Sequence, residues 1–212
     1  MKKDDTAIPA RWDKQVNWWL LLIAPVVLAG ATVAANLLEF DSSASSASAD
    51  WLEIFAPYLA AAGLAIYAVR AIVTRKPLFL MLTFLAAAMF LREIDWKNWT
   101  VIVWTHLGIY AAFVIVAACM VIWRKKIAET LRDRWFISLV AASVWAFILS
   151  QLVARRVFKD KAWRLAIIPK EDEIHLFLEE VVETAGHLLW IAGAVVGSWR
   201  RGATRQKETK PK

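Results

Sequence analysis

The chain is poor in the residues from which recognisable chemistry is usually built. Its 212 residues include a single cysteine, Cys119. An internal disulfide and a paired-cysteine metal site are therefore excluded. Only three histidines occur, His106, His175 and His187, and neither an HExxH nor a GxSxG motif is present. The compact zinc-protease arrangement and the serine-hydrolase elbow are thereby absent. None of the long apolar stretches holds a lysine, which excludes a retinal-type Schiff base within them. The sequence carries no internal repeat.

Apolar residues are what the chain has in excess. They make up 59% of it, with a mean hydropathy of +0.47, whereas a soluble domain sits nearer 45–50%. The excess falls in long blocks, which marks a polytopic membrane protein. Six blocks are long enough to cross a hydrocarbon core of about 30 Å at about 1.5 Å per residue. They run roughly over 17–38, 51–73, 77–95, 99–123, 135–157 and 174–199. The first exceeds the 7–15 residues of a leader's apolar region and is expected to be a span. The expected fold is an all-α integral membrane protein: one six-transmembrane-helix bundle over residues 17–199, with a tail at 1–16 and a basic tail at 200–212. Thr74-Arg75-Lys76-Pro77 reads as a tight turn, with proline in the first turn of the third helix. Pro25 and Pro57 fall inside spans, where kinks are expected. The polar run Asp41–Asp50, DSSASSASAD, reads as a mobile linker.

Basic residues then set the topology. The two tails and alternate connections carry eighteen of the 26 lysines and arginines, Arg70, Arg75 and Lys76 among them. The positive-inside rule places that side, and with it both termini, in the cytoplasm. The expected location is a bacterial-type inner membrane. Trp12, Trp18, Trp19, Trp123, Trp135 and Trp199 mark the inner boundary, and Trp51, Trp96, Trp99 and Trp163 the outer one, as an interfacial aromatic belt does. The net charge of +7 is thus a topology signal, and no nucleic-acid partner is expected. One outer connection departs from the rule: residues 155–170 carry Arg155, Arg156, Lys159, Lys161, Arg164 and Lys170. This segment reads as a short interfacial amphipathic stretch between spans five and six, lying on the anionic head groups of membrane lipids. The alternative is a cationic wall beside the acidic site, or a clamp for an anionic substrate.

The acids show the complementary bias, with thirteen of nineteen on the outer side. The informative ones lie within helices. In the last block Glu179, Glu180, Glu183 and His187 interrupt an apolar helix, where an ionisable group is costly without a partner, water or a function. Counting back from Trp199 places Glu180 at the outer boundary, Glu183 about 5 Å deeper and His187 about 10 Å deeper. His106 in span four also comes about 10 Å deep. Arg92, Glu93 and Asp95 in FLREIDW close span three at the same boundary. Glu173, Glu180, Glu183 and His187 share about 80° of one helix face. Glu179 lies beside this stripe, and His175 points away from it and is expected at the interface.

The candidate binding residues are therefore Arg92, Glu93, Asp95, His106, Arg155, Arg156, Glu179, Glu180, Glu183 and His187. Four readings of the layer compete. The groups can neutralise one another as interhelical ion pairs in a structural or accessory subunit. They can bind or conduct a proton, a cation or a small polar solute, since intramembrane acids mark such paths. His106, Glu183 and His187 can hold a divalent metal ion in a membrane enzyme, with the basic outer loop binding a lipid head group. A haem ligated by His106 and His187 is the least favoured, because acidic neighbours do not suit it. The expected function is the second reading.

Overall fold

The computed structural model describes residues 16–37, 42–94, 99–131, 133–154, 172–196 and 199. Among these residues the secondary structure is entirely helical. A 3-10 segment, Trp18–Leu22, leads into α1 (Ile23–Leu37). There follow α2 (Ser42–Thr74), α3 (Pro77–Glu93), α4 (Trp99–Ile122), α5 (Arg124–Thr130), α6 (Arg134–Ala154) and α7 (Asp172–Val195). Each apolar block of the sequence coincides with a helix. Among the described residues, four helical stretches are long and apolar enough to cross a membrane: Trp18–Ala35, Ser48–Thr74, Val101–Ile122 and Arg134–Ala154. The α3 helix is shorter, at 17 residues, and α7 carries the three glutamates in its apolar part.

Local chemistry accounts for the element boundaries. Pro25 has no N–H to offer Leu21, so the regular α-helix cannot extend upstream unbroken, and the first turn and a half is 3-10 instead. Pro77 opens α3 in its first turn, where its missing N–H costs nothing. Asp133 caps α6, its carboxylate accepting from the Phe136 N–H at 3.2 Å. The turn between α2 and α3 is closed by Arg75 in the left-handed region, at φ 53°, with its N–H donating to the Ala71 carbonyl at 2.9 Å.

Two expectations are corrected here. The Asp41–Asp50 run is not a linker, because α2 begins at Ser42 and passes through it. Alanine and serine without glycine or proline tolerate helix, and a helix already nucleated downstream propagates into them at little cost. Arg70 is not a loop charge. It sits four residues before the end of α2 and is almost wholly buried. The short helix α5, in the basic connection after α4, was not expected.

The chain divides into two units, Met1–Leu59 with Leu131–Gly197, and Ala60–Thr130 with Ser198–Lys212. In the first, α7 packs on both α1 and α6. Leu139 and Ala142 of α6 share a buried cluster with Leu189, and Val153 shares one with Ile174 and Leu178. The two helices are therefore antiparallel. The Asn17 N–H donates to Ser138 Oγ at 2.7 Å, and Ala35 shares a buried cluster with Val153 at the other end, so α1 and α6 run parallel. Trp19 and Trp135 meet edge to face at the shared end. In the second unit α3 packs on α4, with Leu91 3.3 Å from where a Cβ on Gly108 would stand.

Hydroxyl groups follow the logic of an apolar solvent. Thr32, Thr74 and Thr83 each donate to the carbonyl four residues back, and Ser150 to the one three back. Each polar group is thus satisfied within its own helix. The large apolar side chains of α4, including Val103, Trp104, Leu107, Phe113, Val114 and Val121, are exposed. That is the inverse of a soluble helix and what a lipid-facing helix presents.

Candidate functional site

The polar residues of α7 divide by depth. Glu179 and Glu180 are half-buried, whereas Glu183 and His187 are 5% and 1% exposed. Four residues of α-helix make slightly more than one turn, so positions 183 and 187 lie one above the other. A carboxylate oxygen of Glu183 and a ring nitrogen of His187 lie within 4.8 Å of each other. Trp190 and Ala194 extend the same buried face toward the C-terminal end of α7.

The neighbouring helix fixes this pair. Ser143 Oγ donates to the Gly186 carbonyl at 2.8 Å and sets the register of α6 against α7. Gly186 has no side chain, and a Cβ there would stand 3.2 Å from two Phe147 ring carbons. Phe147 occupies that space and meets the His187 ring edge to face, with centroids 5.0 Å apart and planes at 80°. Phe147 lies seven residues from the Ala154 end of α6, about 10 Å along the axis.

The other candidates are distributed as follows. In the second unit, Arg92 is largely exposed and pairs with the adjacent Glu93, Nη2 to Oε1 at 2.7 Å and Nε to Oε1 at 2.9 Å. Arg92 thus pairs with its own neighbour at the end of α3. His106 is exposed on α4, with Nδ1 2.8 Å from the Ile102 carbonyl of its own helix. Asp95, Arg155 and Arg156 lie outside the described residues, as does most of the basic 155–170 segment.

His175, set apart from the glutamate stripe by its position on the helix, is also buried. It is 6% exposed, beside a cluster of Ala35, Val153, Ile174 and Leu178. Because α1 and α6 both cover α7, the face away from the glutamate stripe is buried too. Sequence reading also missed Arg70. Its guanidinium carbon lies 4.1 Å from the Phe79 ring centroid and 5.5 Å from that of Trp199. Tyr67 and Thr74 are buried on the same stripe of α2. The 3–4–3–4 spacing of Ala60, Gly63, Tyr67, Arg70 and Thr74 was the available signal for a buried face.

Fold and site together define a chain whose described residues form helices, several apolar enough to span a membrane, with a buried glutamate–histidine pair on α7. Comparison with protein-family models, curated proteins and solved structures finds no match to this chain.

Proposed function

We propose that this is a six-span inner-membrane protein whose outer-half polar site binds or conducts a proton, a cation or a small polar solute. The single observation that carries the reading is the burial of Glu183 and His187 side by side in α7. An acid and an imidazole withdrawn from water at bilayer depth exchange protons or hold cations more readily than they serve as packing. Glu93, Asp95 and His106 join the proposal by depth counted along the sequence, and Arg155 or Arg156 as further counter-charges.

Helix direction supports six crossings. Since α1 and α6 run parallel, an odd number of crossings separates them. The α2 and α4 helices account for two, and the reading takes α3, with its 17 residues, as the third. The antiparallel α7, with 24 residues, then returns the chain. Together with the positive-inside count, both termini are cytoplasmic. A metal-dependent enzyme acting on a lipid head group is the second reading, favoured by the nitrogen-plus-oxygen donor pair.

Infrared difference spectroscopy on the purified full-length protein tests the site. Its pH titration is expected to show a buried carboxyl C=O band that vanishes in Glu183→Gln. In proteoliposomes carrying a pH-sensitive dye, an imposed potential is expected to drive proton uptake that the same substitution abolishes. A Glu183→Gln protein indistinguishable from the parent in both measurements would mean that the pair is structural.

A further inference from the structure

We infer that the Glu183–His187 pair is a site for a divalent transition-metal ion of the zinc class, with Phe147 and Gly186 as its positioning residues. This rests on the reading of the pair as a cation site and names the cation.

The donor set makes the first selection. One imidazole nitrogen beside one carboxylate suits zinc and its first-row neighbours, whereas magnesium and calcium require oxygen throughout. Geometry makes the second. Donors bound at about 2.0–2.2 Å in a tetrahedral site stand about 3.4 Å apart. The two side chains present ligand atoms within 4.8 Å of each other on successive turns, so a bound ion would draw them together by at most about 1.4 Å. His106, the third metal ligand expected from the sequence, is instead exposed and turned back on Ile102.

Orientation makes the third. A metal-bound histidine needs its ring plane fixed, usually by a partner beyond the ligands. Here an aromatic wall does this. Gly186 admits Phe147, Phe147 stands edge to face against His187, and Ser143 holds the register that brings them together. Two protein ligands leave two positions of a tetrahedron for water, a substrate oxygen or another donor. The bound ion would require Glu183 ionised and His187 neutral, so it would compete directly with protons for the site.

The test uses the full-length protein, purified in detergent and stripped with a chelator. Zinc and magnesium are titrated separately by calorimetry, with metal content checked by elemental analysis. One zinc per chain and no magnesium are expected, with affinity lowered at least tenfold in Glu183→Gln and in His187→Gln and unchanged in His175→Gln. Phe147→Leu keeps an apolar side chain and guards against loss of folding. It is expected to weaken zinc about 10–100-fold and to alter the visible spectrum of the cobalt-substituted protein. Absence of zinc binding while the Glu183 carboxyl band persists would overturn the metal assignment and leave the proton-binding reading standing. Zinc binding that survives undiminished in a folded double variant of Glu183 and His187 would overturn the ligand assignment. An unaltered affinity and cobalt spectrum in Phe147→Leu would overturn its positioning role.

Discussion

At the scale of single residues, one strained position and one buried pair stand out. Arg75 adopts a left-handed conformation at the end of α2, where Cβ crowds the following carbonyl and glycine is favoured. Relief of that crowding is expected to make Arg75→Gly more stable by about 1 kcal/mol, offset in part by the freer unfolded chain. Thermal unfolding in detergent would check it, and a lower midpoint would count against a strained turn. The Glu183–His187 pair was legible from the sequence because a helical spacing of four is a statement about one element. Phe147 was not legible, since its role depends on which residue of α6 faces Gly186. His175 shows the same limit. Spacing placed it off the stripe, but only the packing of α1 and α6 around α7 buries it.

At the scale of elements, two glycines in two helices separate packing from propensity. A Cβ on Gly186 would stand 3.2 Å from the Phe147 ring, so that ring must give by a few tenths of an ångström. Nothing lies within 4 Å of the corresponding position on Gly30 in α1. Gly186→Ala is accordingly expected to cost about 1–3 kcal/mol through overpacking. Gly30→Ala is expected to stabilise by about 0.5–1 kcal/mol, from backbone entropy alone. Denaturation of the two variants side by side should move the midpoint in opposite directions, and a shift of the same sign would break the distinction. Helix positions were readable because apolar length and proline placement are local properties. The start of α2 was misread because serine-rich composition resembles a linker, while helix propagation depends on what the segment is attached to.

At the scale of the whole molecule, the number of crossings is the testable quantity. With six crossings the connection between α6 and α7 lies outside, and without a crossing by α3 it lies inside. Lys161 sits in that connection. With Cys119, the single native thiol and a buried one, replaced by serine, Lys161→Cys is expected to react with a membrane-impermeant maleimide in intact cells. Labelling only after the cells are opened would invert the connection and remove α3 as a span. The expectation draws on two independent sources. One is the bias of basic residues between alternate connections, and the other is the parallel packing of α1 and α6.

Composition and period sufficed to place the long apolar helices, apart from the start of α2, and to show which polar residues interrupt them; the short α5 escaped them. Apolar length and polar interruption are each settled within one stretch of chain. Tertiary structure decided that Glu183 and His187 are both deeply buried, that Arg70 lies against Phe79 and Trp199, and that Phe147 and Gly186 stand beside the candidate ligands. The physical reason is that a helix facing lipid and a helix facing its neighbours carry similarly apolar residues. Periodicity therefore marks faces, and only contact between helices shows which face is covered and what covers it.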